Sequence, residues 1–357
     1  KIANMKKYLK IFKDKFKTWI KSPFHKVIFI FSIILVVLFS SMYAIGEWYI
    51  YSQKNDTKTL GVSFIPDYAT YLGIDPKETY QALLGLNIKE FRLTSYWSDI
   101  ESTKGTYDFS TLDWEFNLAK QANAKIILVV GLRQPRWPEC HIPSWATNQP
   151  KNVWQPQLMD QIKAVVNRYK DYSNLLSFQV ENEYFLKGFG TCTDFSRDRL
   201  VEEYNLVKSL APNKPIILAR SNNAIGIPIG NPKGDEYSIS IYKRVWDKTL
   251  THRYFEYPFP AWFYGFLAGV QKIFLHKNMI VGELQAEAWA PDDKSVTQIS
   301  IAEQNKSIDA KRLKDRFNYG KATGMDNIIL WGGEYWYYRD KVLNDPSLWN
   351  VAKQEYK

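Results

Sequence analysis

Eight short, mostly apolar runs punctuate the chain: Leu60–Ile65, Ile88–Thr94, Ala124–Gly131, Leu175–Glu181, Lys214–Ala219, Glu236–Ile241, Asn278–Glu283 and Asp326–Trp331. Runs of this length read as strands buried on both faces, as in a parallel sheet wrapped by helices. Between most of them apolar residues recur at intervals of three and four, which predicts helices over Lys77–Leu86, Leu112–Ala122, Gln157–Tyr172, Arg197–Leu210 and Ser307–Thr323. Strands alternating with helices imply parallel crossovers, and eight such units in about 300 residues predict an α/β fold of the (β/α)8 TIM-barrel type. Between the fifth and sixth strands, residues 222–235 hold Gly226, Pro228, Gly230, Pro232 and Gly234, so a loop is expected there.

Alternation within a strand assigns its faces. In the fourth strand Leu176, Phe178 and Val180 are expected to face the helices, leaving Ser177, Gln179 and Glu181 inward; in the second, Glu90, Arg92 and Thr94 point inward. The barrel interior is therefore expected to be partly polar.

Ahead of the barrel pattern, residues 27–45 form a charge-free apolar stretch of 19 residues, enough as a helix to cross the hydrocarbon core of a bilayer. Residues 1–26 carry nine lysines against Asp14 alone, which by the positive-inside rule leaves this tail cytoplasmic and the rest of the chain outside. The expected organisation is a basic tail over 1–26, a single transmembrane helix over 27–45, a polar linker over 46–59 and a catalytic barrel over 60–357, held at the cell membrane. A cleaved signal peptide is the competing reading, but its apolar region is usually shorter, and Met42-Tyr43-Ala44 is a poor cleavage site. Tyr257–Leu275 is also apolar and contains Gly265-x-x-x-Gly269. Pro258, Pro260, Gln271 and Lys272 argue for an outer helix there, entered through an aromatic loop, over a second span.

The net charge of +10 shrinks once the tail is set aside, because 38 basic and 36 acidic residues remain. A nearly neutral domain offers no electrostatic footprint for nucleic acid, and the basic tail suits anionic lipid. The four histidines, 25, 141, 252 and 276, are scattered and only Cys140 and Cys192 are cysteines, so neither a metal nor another cofactor is expected. Export would permit a disulfide between those two cysteines, which fall in loops on one rim. The oligomeric state is not legible.

Two glutamates stand out. Glu183 follows the fourth strand in Gln179-Val180-Glu181-Asn182-Glu183-Tyr184, and Glu283 closes the seventh in Ile280-Val281-Gly282-Glu283. A carboxylate at the exit of a buried strand is costly unless it faces a cleft, and cleavage of a glycosidic bond needs two such groups. The fourth-strand segment resembles the motif of clan A glycoside hydrolases; its wording is closest to family 35, and Tyr96-Trp97-Ser98-Asp99-Ile100-Glu101 resembles the loop and helix entry after the second strand in families 5, 39 and 42. The resemblance, which covers about residues 60–355, implies Glu183 as acid/base, Asn182 as a sugar-binding amide and Glu283 as nucleophile. It further implies Arg92 and Tyr242 as partners of the nucleophile and Trp331 as a sugar platform.

Aromatic candidates for sugar contact are Trp137, His141, Trp145, Trp289, Trp331 and Trp336. Glu287 competes with Glu283 for the nucleophile role, and Glu181 competes with Glu183; Glu181 is expected to pair inside the barrel, with Arg92 as a candidate partner. The expected activity is that of a membrane-anchored retaining hydrolase of β-linked oligo- or polysaccharides. A transglycosylase using the same residues and a non-catalytic surface carbohydrate-binding protein are the alternatives.

Overall fold

The computed structural model describes residues 2–221 and 230–357. Among the described residues there are ten strands: β1 (Thr59–Phe64), β2 (Glu90–Thr94), β3 (Lys125–Val130), β4 (Leu175–Val180), β5 (Ile216–Ser221), β6 (Glu236–Ile241), β7 (Arg244–Asp247), β8 (Arg253–Glu256), β9 (Asn278–Gln285) and β10 (Asn327–Trp331). Eight of them close a barrel in the order β1-β2-β3-β4-β5-β6-β9-β10, with every neighbouring pair parallel, while β7 and β8 form a separate antiparallel hairpin. All eight expected strands are found, with ends displaced by two residues at most. Of the loop expected over 222–235, residues 222–229 lie outside the described residues, and 230–235 form neither helix nor strand.

The helices form where the periodicity places them because each has one apolar stripe to bury. In the helix Lys151–Tyr169 that stripe is Leu158, Ile162, Val165, Val166 and Tyr169, and it shares one core with the outward residues Phe91, Leu93, Phe178 and Val180 of β2 and β4. Leu176, expected in the same layer, is exposed near the start of β4. The barrel interior is divided. Ile127, Ile217, Ile280 and Ile329 make a small apolar plug of their own, whereas Glu90, Arg92 and Gln179 make the remainder polar, as the alternation predicts. Burial pushes the Glu90 carboxyl up to about 7.

The helix Pro23–Ser52 is long and apolar enough to cross a membrane. It does not stop at Ile45. The segment expected as a linker continues the helix to Ser52, because Gly46 and Tyr49 are buried against the helix Ala261–Leu275. Three glycines let these backbones meet: a Cβ on Gly46 would strike the carbonyl of Trp262, and Cβ atoms on Gly265 and Gly269 would come within 3.0 Å of Ile50 and 2.9 Å of Ile45. Tyr43 adds an edge-on contact with Trp262 at 5.4 Å. Tyr257–Leu275, weighed as a second span, thus supplies an outer barrel helix of 15 residues that grips the N-terminal one. Lys58 closes the junction by donating to the carbonyls of Gln53 and Gly324 and to Asp326.

This contact makes a testable claim. Gly46→Leu forces the two helices apart and is expected to lower stability by about 1–3 kcal/mol, the usual cost of overpacking, in thermal unfolding of the nanodisc-embedded chain. Gly85→Ala, where a Cβ meets nothing within 4 Å, is the control and should leave the melting temperature unchanged or slightly raised.

Candidate active site

One buried cation organises the C-terminal end of the barrel. Arg92, 1% exposed, reaches inward from β2. Its Nε donates to Gln179 Oε1 of β4 (2.9 Å), its Nη1 to Glu283 Oε1 of β9 (2.8 Å), and its Nη2 to Asn182 Oδ1 beyond β4 (2.8 Å). The second oxygen of Glu283 accepts from the Tyr242 hydroxyl (2.7 Å). Glu283 is therefore oriented by a cation on one side and a phenol on the other. It lies inside β9, two residues short of the strand end, where a register shift between Ile239 and Ser240 of β6 sets Ser240 opposite it.

Glu183 approaches from the other side. Its carboxyl lies beside Ser240, the register partner of Glu283, and Oε1 has no hydrogen-bond partner among the described residues. Burial, reinforced by the charge of Glu283 and then of Glu139, pushes this carboxyl up to about 8. The backbone at Glu183 and at Glu181 is left-handed, with φ of 41° and 61°, a conformation uncommon for non-glycine residues and typical of constrained functional loops. What over-determines it is a set of buried bonds. Glu181 accepts from the backbone N–H groups of Leu132 and Arg133 (2.7 and 2.9 Å) and from Arg199 Nη1 (2.6 Å), while Arg133 Nε donates to the carbonyl of Asn182 (2.8 Å). Arg199, not Arg92, is thus the partner of Glu181. With both its oxygens engaged and no exposure, Glu181 is a structural anchor for the loop that presents Glu183.

Both glutamates line a cleft of about 780 Å³, shared with Tyr242, Trp289, Trp331 and Trp137. Glu287 lines it too, but both its oxygens accept from Arg136 Nη2 (3.2 and 3.0 Å) and Oε1 also accepts from Trp331 Nε1 (2.9 Å). The Arg136 guanidinium in turn lies 3.3 Å from the centre of the Tyr68 ring and 4.6 Å from that of Trp331. Arg92 and Asn182 stand behind the wall, buried. Asn182 Oδ1 accepts from Arg92, and the Asn182 side chain also bonds to the Glu139 carboxyl, which lines the cleft.

Several expected sugar contacts lie elsewhere. His141 is stacked on Tyr96 at 3.5 Å, outside the cleft lining, and burial holds its pKa down at about 4. Trp145 donates to the carbonyl of Glu101, and Trp336, fully buried, to that of Ala286, so both are packing residues.

Other residues of the cleft went unnoticed in the sequence. Glu139 lines it beside Asn182, 3.5 Å from Arg133, with a carboxyl raised to about 7, chiefly by burial. A disulfide between Cys140 and Cys192 ties its loop to the one that follows Glu183. The signal available was only its place next to Cys140. Arg136 and the β7–β8 hairpin, whose strands are four residues each, left no periodic trace.

No protein-family model and no curated protein matches this sequence. Solved structures match it in fold. Among them are the GH5_18 protein of Streptomyces cattleya in complex with GlcNAc (13% identity, TM-score 0.52, 77% of this chain and 70% of that one) and the polyextremophilic beta-galactosidase of the Antarctic haloarchaeon Halorubrum lacusprofundi (12%, 0.55, 83% and 57%). Xylanase10C of Cellvibrio japonicus is a third (16%, 0.53, 85% and 71%). The chain spans little more than half the length of the beta-galactosidase. What they share with this chain is the fold, a closed barrel of eight parallel strands wrapped by helices.

The raised carboxyl of Glu183 carries a stability cost of definite sign. A group whose folded pKa lies above its unfolded value contributes stability below the unfolded pKa and loses it as pH rises through the folded one. Glu183→Gln, which cannot ionise, should therefore melt at a higher temperature than wild type at pH 8 and at nearly the same temperature at pH 4. Calorimetry of both proteins across that range is the check.

Proposed function

We propose that this chain is a membrane-anchored retaining glycoside hydrolase acting on a β-linked saccharide, with Glu283 as nucleophile and Glu183 as acid/base. The observation that carries this reading is the asymmetry between two carboxyl groups in one cleft. Glu283 is held by Arg92 and Tyr242, whereas Glu183 has no cation bonded to it among the described residues and is pushed toward its neutral form by burial and by the charge opposite. Paired carboxyls with separated proton affinities are what acid and nucleophile roles require.

Glu283 attacks the anomeric carbon while Glu183 delivers its proton to the departing oxygen. The glycosyl ester then yields to water activated by Glu183, now a carboxylate, and configuration is retained. Asn182 offers its amide to the hydroxyl beside the reacting carbon, and Trp331 offers a ring face to the sugar. Trp289 and Glu287, held by Arg136, complete the lining around the sugar, and Trp137 lines the cleft beside the loop of Glu183. The helix Pro23–Ser52 fits an anchor that keeps the basic tail cytoplasmic and the barrel outside.

The test is a panel of p-nitrophenyl and alkyl β-glycosides offered to the full chain in nanodiscs. Glu283→Gln should lower kcat about 10³-fold or more on all substrates cleaved. Glu183→Gln should lose about 10²–10⁴-fold on alkyl glycosides and much less on p-nitrophenyl ones, whose leaving group needs no proton. Proton NMR should show the β-anomer as first product, and the wild-type rate should fall as pH rises through about 8, where Glu183 loses its proton. A wild type as inert as both variants across the panel would leave the carbohydrate-binding reading standing instead. Products extended by an added acceptor sugar would favour transglycosylation.

A further inference from the structure

The two ends of the cleft differ in chemistry. Around the position for the reacting sugar stand Glu287, Arg136 and Trp331, bonded or stacked on one another. The leaving oxygen must lie on the side of Glu183, since that residue protonates it. There the lining is apolar: Leu186 and Phe189 follow Glu183 in its own loop, Trp137 meets Phe189 edge-on at 6.0 Å, and the β7–β8 hairpin adds Val245, Leu250 and Phe255.

These side chains are unusually open to solvent. Leu250 is 84% exposed, Trp137 62%, Phe255 45% and Phe189 37%. A group of large apolar side chains around the mouth of a cleft is costly in water and marks a surface that is covered when the site is in use. The charged groups at the tip of the hairpin are already committed, whereas the Trp246 Nε1–H, buried in the lining, has no hydrogen-bond partner among the described residues. The Asp247 carboxylate accepts from the backbone N–H groups of Thr249, Leu250 and Thr251 and from both threonine hydroxyls, and Lys248 pairs with Asp293 at 2.8 Å. A second sugar on this wall would find rings but few free partners for its hydroxyls.

We propose that the leaving-group side of the cleft binds an apolar aglycone, so that the substrate is a glycoside of a hydrocarbon chain such as a glycolipid. The proposal rests on the hydrolase reading for its direction, and it deepens that reading by naming the aglycone. Membrane anchoring brings the same cleft close to the surface where such glycosides reside. Hydrolysis transfers the proton of Glu183 to the aglycone oxygen, releasing a long-chain alcohol, and water supplies the hydroxyl that completes the free sugar.

The experiment compares methyl, butyl and hexyl β-glycosides of one sugar, below their micellar concentrations, on the full chain in nanodiscs, alongside a β-linked disaccharide of that sugar. kcat/KM should rise at least about tenfold from methyl to hexyl, the scale of discrimination by a few methylenes in an apolar pocket, and hexyl should exceed the disaccharide. In Leu250→Ser and Phe255→Ser the hexyl-to-methyl ratio should fall. Equilibrium binding to Glu183→Gln gives a second readout that needs no turnover, and affinity there should rise with chain length. A flat chain-length profile in both readouts, or a preference for the disaccharide, overturns the apolar aglycone while leaving the hydrolase intact. Rising affinity without turnover by wild type supports the apolar site and overturns the hydrolase reading.

Discussion

The buried guanidinium of Arg92 is the constraint from which the rest of the site follows. A cation taken out of water inside a barrel is tolerable only when its donors are matched by well-placed acceptors, and breaking such a set by removing one member is strongly destabilising. Arg92, on β2, meets that demand with three acceptors from two other strands: Gln179 on β4, Asn182 just beyond it and Glu283 on β9. The amide of Asn182 and the carboxylate of Glu283, on which the proposed chemistry relies, are thus fixed relative to each other by one rigid fork. Glu183 lies outside that fork. It shares the neighbourhood of Glu283 without sharing its counter-charge, and the division of labour proposed for the two glutamates rests on that difference.

A second buried arginine supports the first arrangement from outside the barrel. Arg199, on the helix Arg197–Leu210, reaches Glu181, Glu203 and Asp194. Through Glu181 it secures the left-handed turn after β4, and through the same carboxylate it is joined to the backbone of Leu132 and Arg133 in the loop after β3. The Cys140–Cys192 disulfide links these two loops at a second point. Glu139, Asn182 and Glu183 are therefore presented by loops held at two points, which suits groups that must meet a substrate without rearranging.

The barrel was legible because it is written in local terms. Strands buried on both faces need continuous apolar runs, outer helices need a stripe, and both patterns survive in the sequence at eight strands and five helices. The catalytic candidates were legible for a related reason: an acid such as Glu183 or Glu283 at the exit of an apolar run has few structural excuses. What escaped depends on encounters between distant segments. Glu181 looked like a partner for Arg92 by strand alternation, but its carboxylate turns toward the β3 loop and Arg199, a choice made by backbone N–H groups 48 and 49 residues away. Residues 46–52 read as part of a linker because Lys54, Asn55, Asp56, Thr57 and Lys58 make the stretch polar; they stay helical because three glycines on two separate segments allow a close approach. His141 carried the chemistry of a sugar ligand yet was captured by the face of Tyr96.

The central claim is that Glu283 becomes covalently attached to the sugar while Glu183 does not. Incubating the full chain with a 2-deoxy-2-fluoro glycosyl fluoride slows release of that intermediate, and peptide mass spectrometry then locates the label. The account predicts one added sugar per chain, on the peptide carrying Glu283 and on that side chain. A label on Glu287 or Glu181 would contradict it, as would an unlabelled chain that still turns over its substrate with inversion.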